Sequence, residues 1–189
     1  LSERLDVEVF KNGSVYHQYY ERGIPQIELE ITGDCDRTGT RVTFKPDPTI
    51  FETVEFSFEY LSTRLRELAF LNKGITIILA DERTGKRHEF LYEGGIISFV
   101  RYLNENKKPL LSEPIFIEGA RDGLEFETAI QYNEGFQEVI LSFANNINTI
   151  EGGTHLSGFK SALTRAVNAY IKNENLLKNE KVAPQGSDI

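Results

Sequence analysis

Hydrophobic and polar positions alternate along the first quarter of the chain. Leu5, Val7 and Val9 are separated by acidic residues. The same period of two recurs in the segments 15–19, 27–31 and 40–44. Such alternation is typical of strands with one covered face. Asn12 and Gly13 tolerate the positive φ of a tight hairpin turn. The pattern therefore predicts four strands, with a hairpin between the first two.

The period changes to that of a helix after the segment PDPT. Apolar residues then recur at helical spacing, namely Phe58, Leu61, Leu65, Leu68 and Leu71. Asn72-Lys73-Gly74 ends this helix, because glycine readily adopts the left-handed conformation that follows a helix. Gly94-Gly95 opens a shorter helix, and a final helix begins near Thr154.

The remaining apolar segments predict strands. A hairpin is expected over 75–92 with its turn at Thr84-Gly85, and further strands are expected at 115–119, 124–132 and 138–146. The polar segment NENKKPLLSEP, with its two prolines, predicts a domain joint. Strands, helix, hairpin, helix, strands and helix in this order indicate the α+β class, with sheets covered on one face by helices.

Composition narrows the function classes. The 189 residues are 40% hydrophobic and carry a net charge of −8, so the chain as a whole is not a nucleic-acid binder and any basic surface is local. No long uncharged apolar run and no signal peptide is visible. The single Cys35 cannot form an internal disulfide, which fits a reducing, cytosolic setting. The sequence contains no methionine, even at position 1, which predicts a piece of a longer protein or a processed chain.

The run Gly152-Gly153-Thr154-His155 allows three interpretations: a phosphate cradle, a catalytic corner, or a turn into a helix. Glycines at a helix start let a phosphate approach the backbone N–H groups. A Walker loop, however, needs a lysine and a Ser/Thr at a fixed spacing that is missing here. The favoured interpretation is a strand-to-helix turn with Thr154 as the N-cap.

Other candidate chemistry is sparse. His17, His88 and His155 are far apart and lack metal-ligand spacing, so structural or surface roles are favoured. Asp34 and Asp36 do not continue into a calcium-loop pattern. The sequence shows neither a nucleophile next to a base nor a Cys–His pair. The residues alone therefore predict neither a catalytic site nor a metal site in this chain.

Four segments resemble the bacterial DNA gyrase B family, in that family's own order. They are RTGTRVTFKPDPTIF, RLRELAFLNKGI, YEGGIISFVRYLN and SFANNINTIEGGTHLSGFKSALTRAVNAY. The resemblance covers essentially the whole chain. It is highly specific for type II topoisomerases, and the wording FLNKGI and ANNINT favours gyrase over topoisomerase IV.

The resemblance implies an architecture. Residues 1–94 would form the C-terminal part of an ATPase sandwich of the gyrase/Hsp90/histidine-kinase/mismatch-repair type. Residues 95–189 would form the first part of a transducer domain, a sheet with covering helices. This boundary agrees with the joint expected near NENKKP.

The resemblance also implies function. The parent would couple ATP binding and hydrolysis, with Mg²⁺, to negative supercoiling of DNA in the cytoplasm. Its partners would be gyrase A, DNA and a second copy of gyrase B, with no membrane. The main ligands of ATP and Mg²⁺ would lie outside this chain, and the isolated chain would be inactive. The alternatives are the topoisomerase IV counterpart of gyrase B and a non-catalytic structural or interaction module.

Four residues acquire roles through the resemblance. Thr40 matches a threonine that contacts adenine, and Val42 matches a valine that packs against the base. Lys11 matches an arginine at the mouth of the ATP pocket, which helps to bind coumarin inhibitors. Lys160 matches a basic residue that faces the DNA cavity between two transducer domains, and it lies off the apolar stripe of the final helix. Ordinary sheet packing and surface exposure are the structural alternatives for these residues.

Overall fold

The computed structural model describes residues 1–176 and 183–186, which form two compact units, Leu1–Leu61 and Ser62–Ile189. The first unit is an antiparallel sheet. Its strands are β1 (Ser2–Lys11), β2 (Ser14–Glu21), β3 (Ile24–Pro25), β4 (Glu30–Asp34) and β5 (Gly39–Pro46). The strand order is β3-β2-β1-β5, and β4 also pairs with β2.

The β1–β2 hairpin forms as the sequence predicts. Lys11 pairs with Ser14, and the two turn residues Asn12 and Gly13 have φ values of 53° and 81°. Two successive residues with positive φ define the type I′ turn, whose twist matches that of the flanking strands. The turn therefore sets the register of the whole hairpin.

The predicted strand at 27–31 is only partly correct. β4 begins at Glu30, and residues 26–29 lie outside any strand. Gln18 explains the interruption, because its side-chain amide donates a hydrogen bond of 3.0 Å to the Ile27 carbonyl. A side chain thus occupies an acceptor that a regular strand would use in its ladder.

Helix α1 (Phe58–Leu71) starts at the end of the first unit and continues in the second. The later elements are β6 (Ile77–Asp81), β7 (Lys86–Phe90), α2 (Gly95–Leu103), β8 (Ile115–Arg121), β9 (Leu124–Ile130), β10 (Phe143–Ala144), β11 (Ile147–Asn148) and α3 (Thr154–Asn173). The pairs β6–β7, β8–β9 and β10–β11 are antiparallel hairpins. Buried Phe70 centres the core, with the rings of Tyr92 and Phe99 stacked on it at centroid distances of 3.6 Å and 4.8 Å.

The strand predicted at 138–146 is wrong over most of its length. Only Phe143–Ala144 is extended and paired, with Ile147–Asn148. Residues 138–142 have no ladder partner within the described part of the chain, and Val139 and Ile140 are exposed. An apolar run becomes a strand only where a neighbouring strand takes its backbone hydrogen bonds.

The polar segment after α2 is held by backbone contacts. Leu110 N–H donates to the Tyr132 carbonyl at 2.8 Å, and Pro109 forms an isolated bridge with Asn133. The side chain of Asn104, the C-cap of α2, bonds both Gln131 and Asn133. The predicted domain boundary at 94/95 stays a prediction.

Of the polar C-terminal segment 179–189, the structure describes only residues 183–186. In the described ranges, no helix is both long enough and apolar enough to cross a lipid bilayer.

Candidate functional site

One end of the first sheet carries the predicted margin of a nucleotide site. Thr40 and Val42 lie on β5 opposite Val9 and Val7 of β1, so all four side chains belong to one face of the sheet. Val42 is 56% exposed although it is apolar. An open concavity of about 420 Å³ lies here, and its lining residues are Phe10, Arg37, Thr38, Gly39, Thr40, Arg41 and Val42. The structure thus brings Thr40 and Val42 together beside an accessible surface.

Two arginines at this concavity were not singled out from the sequence. The guanidinium of Arg37 lies 4.1 Å from the centroid of the Phe10 ring, and that of Arg41 lies 5.8 Å from it. Arg41 also forms an ion pair of 2.9 Å with Glu8 across the β1–β5 ladder. Alternation along β5 places Arg41 on the face opposite Thr40 and Val42, but it does not identify Phe10 as the ring beneath Arg41.

Lys11 is the last residue of β1 and is exposed. It directly precedes the Asn12-Gly13 turn, and its neighbour Phe10 lines the concavity. The described residues show no ion pair for its ammonium group. Its exposed side chain is therefore accessible to a ligand at this end of the sheet.

Asp47 is the most deeply buried ionisable residue of this unit, with 1% of its surface exposed. Its carboxylate accepts hydrogen bonds from the Thr49 hydroxyl at 2.7 Å, the Thr49 backbone N–H at 2.9 Å and Arg22 Nε at 2.8 Å. These bonds, those of Thr49 above all, lower the pKa of Asp47 to about 2. The carboxylate fixes the turn after β5, whereas the sequence pattern marked the segment PDPT only as the point where the period changes.

The double glycine before α3 makes a corner, as predicted, but the predicted cap is wrong. Gly153 is the N-cap, with φ 154°, and Thr154 is the first helical residue. Gly152 has φ 78°, so both positions use backbone conformations that favour glycine. His155 lies against this corner, and its Nε2 is 3.1 Å from the Thr149 hydroxyl. The threonine cannot cap because the chain turns one residue earlier than expected.

Lys160 is exposed on α3, and its ammonium lies 3.4 Å from a carboxylate oxygen of Glu138. Lys160 flanks the partly covered residues of the helix, because Leu156 and Thr164 lie four residues to either side of it and Val167 lies seven residues after it. Helix α3 contains no acidic residue, although the chain as a whole is acidic. The exposed side of α3 is therefore locally basic.

The histidines make structural contacts. The His17 ring lies between carboxylates of Asp6 and Glu30, at 3.5 Å and 3.4 Å. His88 Nδ1 lies 2.8 Å from the hydroxyl of buried Ser62. Over residues 1–176 and 183–186, no group of three His, Cys, Asp or Glu side chains could hold a metal ion.

The chain is similar to known proteins over its full length. It is 52% identical to the DNA gyrase B protein of Myxococcus xanthus and 54% identical to that of Clostridium acetobutylicum, in both cases over 100% of this chain. It spans only 23% and 30% of the lengths of these relatives.

The fold agrees with a solved structure, the 43K ATPase domain of Thermus thermophilus gyrase B in complex with an aminocoumarin. The TM-score is 0.83 at 40% identity, and the match covers 99% of this chain and 52% of that one. This match confirms the predicted α+β fold. The family model for DNA gyrase B matches residues 95–189, half of the chain. The chain therefore belongs to the DNA gyrase B family.

Proposed function

We propose that the protein to which this chain belongs is an ATP-dependent type II DNA topoisomerase that introduces negative supercoils by double-strand passage. The observation that carries this proposal is the full-length match, at about half identity, to gyrase B proteins. Because the chain spans less than a third of those two relatives, the activity belongs to the whole protein. Catalysis would rest on positioning and electrostatics around the γ-phosphate when water attacks it.

Thr40 and Val42 form the adenine margin in this proposal. The hydroxyl of Thr40 would contact the base edge, and the exposed isopropyl group of Val42 would pack on its face. Their shared sheet face and the exposure of the apolar Val42 side chain support this assignment. Lys11 would lie at the pocket mouth, where the relative from Thermus thermophilus is known with an aminocoumarin.

ATP and Mg²⁺ are the proposed cofactors of the whole protein. The residues present fit only an edge of the nucleotide, because Thr40 and Val42 offer one hydroxyl and one apolar contact. The described residues offer no cluster of donors for Mg²⁺. The family resemblance assigns the general-base glutamate, the magnesium-binding asparagine and the glycine-rich lid to other parts of the protein, so we propose that this chain alone is inactive.

DNA, gyrase A and a second copy of the whole protein are the proposed partners, and the cytoplasm is the proposed location. Lys160 would face the cavity through which a DNA duplex passes. Its 47% exposed side chain on a helix without acidic residues supports this role, and a DNA phosphate would replace the Glu138 carboxylate that lies 3.4 Å from its ammonium.

Supercoiling tests the proposal directly. The full-length protein mixed with gyrase A, relaxed circular DNA and ATP is expected to produce negatively supercoiled DNA. ATP-dependent relaxation or unlinking without supercoiling would instead support the topoisomerase IV counterpart of gyrase B. If no ATP-dependent change in DNA topology occurred, a non-catalytic interaction module would be the better assignment.

A further inference from the structure

Asn72 and Lys73, the two residues directly after α1, make long-range side-chain contacts within the second unit. The ammonium of Lys73 lies 3.0 Å from a carboxylate oxygen of Glu127 on β9 and 5.6 Å from the centroid of the Phe116 ring on β8. The amide of Asn146 donates a 2.9 Å hydrogen bond to the side-chain oxygen of Asn72. Two consecutive residues thus contact both the β8–β9 hairpin and the turn that precedes α3.

The path of Lys73 depends on Gly95. A Cβ atom at Gly95 would lie 2.3 Å from Cε and 2.8 Å from Cγ of Lys73, so the lysine stem crosses the glycine where any side chain would block it. Gly95 is buried and has φ 55°. The missing side chain of Gly95 therefore leaves room for the Lys73 stem on its way to Glu127.

The hydrogen bond between Asn146 and Asn72 depends on the backbone conformation of residues 145 and 146. Asn145 and Asn146 have φ values of 48° and 66°, which asparagine adopts more readily than most residues. This conformation closes the β10–β11 hairpin, and α3 with Lys160 begins a few residues later. A movement of Asn72 would reach this turn through its hydrogen bond with Asn146.

We propose that Asn72 and Lys73, with their partners Asn146 and Glu127, form a latch that couples ATP turnover to DNA handling. Hereafter these four residues are called the α1 latch. Asn72 and Lys73 precede the region matched by the gyrase B family model, and both partners lie inside it. The inference rests on the proposed function, because it assigns ATP turnover and DNA handling to the protein. In this proposal the four residues act by positioning their two hairpins and not by contact with nucleotide or DNA.

The exposure of the ion pair suits a contact that opens and closes. The side chains of Lys73 and Glu127 are 48% and 42% exposed. Exposed pairs of this kind change an equilibrium by up to about fivefold and are weakened by salt. A contact of this strength biases two arrangements without locking either one.

A charge exchange tests the latch in the full-length protein assembled with gyrase A. Lys73→Glu and Glu127→Lys are each expected to lower the supercoils introduced per ATP hydrolysed by about two- to fivefold. ATP hydrolysis without DNA is expected to stay unchanged, and the double exchange is expected to restore coupling.

Asn146→Gly removes the second contact while keeping the positive φ, and it is expected to lower coupling too. Lys107→Glu, an equal charge change at an exposed site, is the control.

Single variants that behave like the control, or a double exchange that does not restore coupling, would overturn the proposal. Hydrogen exchange of β9 and residues 145–148 provides a readout that is independent of activity. It is expected to be faster in the single variants and normal in the double exchange, and unchanged rates in the single variants would also overturn the latch. A wild-type protein without supercoiling would overturn the proposed function, and the exchange rates would still decide whether the latch exists.

Discussion

Arg22 Nε donates a 2.8 Å hydrogen bond to Oδ2 of Asp47, a carboxylate 25 positions further along the chain that is almost fully buried. Arg22 sits in the turn between β2 and β3 with φ 48°, so the bond joins that turn to the end of β5. Thr49 supplies two further donors to the same carboxylate. The first unit is thus closed at this end by a buried charge that is fully paired.

This pairing predicts acid-sensitive stability. The folded-state pKa of Asp47 is lowered from 3.8 to about 2, so its contribution is complete above the unfolded value and is lost as pH falls from about 4 to about 2. Asp47→Asn is expected to lower the urea midpoint of the 189-residue chain at pH 7. The gap to the wild type is expected to narrow over that acid range.

Two companion variants identify the cause of the shift. The Thr49 bonds are the largest influence on the pKa of Asp47. Thr49→Ala, which removes the hydroxyl bond and keeps the backbone N–H bond, is therefore expected to raise that pKa, as measured by carboxyl chemical shifts during an acid titration. A pKa that rises in Arg22→Gln and not in Thr49→Ala would assign the shift to the guanidinium instead.

A second prediction about stability concerns Gly153, in the glycine corner before α3. Gly153→Ala places a Cβ 2.7 Å from the His155 ring on a backbone with φ 154°, and a cost of about 1–3 kcal/mol is expected. Gly158→Ala is the matched control, because that glycine lies inside α3 with nothing within 4 Å of the added carbon. It is expected to stabilise the helix by roughly 0.5–1 kcal/mol. Equal effects of the two variants in thermal unfolding would contradict the corner.

Local signals were the ones that sequence reasoning used correctly. The Asn12-Gly13 hairpin needs only two residues in a given conformation, and both are adjacent in the sequence. The strand expected at 138–146 failed because a strand also requires a partner, and the local pattern does not contain one. Asp47 was missed for a similar reason, since its partner Arg22 is remote and buried charge is invisible to periodicity.

In the candidate site, too, local patterns were predictable from the sequence and contacts between remote residues were not. Alternation along β5 placed Thr40 and Val42 on one face, and the structure has them there. The Phe10 ring beneath two guanidinium groups could not be predicted, because it depends on the β1–β5 register. The assignment of these residues to adenine rests on family resemblance and stays a prediction.

The isolated chain is expected not to hydrolyse ATP. Removing a general base alone lowers catalysis by about 10²–10⁴-fold, and the proposed function assigns the metal ligand and the lid to other parts of the protein as well. Steady-state phosphate release by the purified 189-residue chain measures this, with the full-length protein as the positive control. Comparable turnover in both samples would show that the chain holds the catalytic groups itself.

Lys160 is expected to affect DNA handling and not nucleotide binding. Lys160→Glu in the full-length protein is expected to weaken DNA stimulation of the ATPase and to lower the salt dependence of DNA binding by about one phosphate contact. Lys172→Glu serves as the control, because it makes the same charge change on another side of α3. If DNA stimulated the ATPase of this variant at low salt as strongly as it stimulates the wild type, Lys160 would be an exposed lysine without a role in DNA handling.

Lys11 is expected to weaken binding of aminocoumarins relative to family members that carry arginine there. Arginine offers a planar fork for two parallel hydrogen bonds and for stacking, whereas lysine offers a compact ammonium on a flexible stem. Lys11→Arg is therefore expected to gain on the order of 1–2 kcal/mol, about tenfold in affinity, while ATP turnover hardly changes.

Titration of an aminocoumarin against both forms of the full-length protein measures the difference. Lys45→Arg, at the opposite end of the sheet, is the control. Equal dissociation constants for Lys11→Arg and the wild type would place Lys11 outside the pocket mouth.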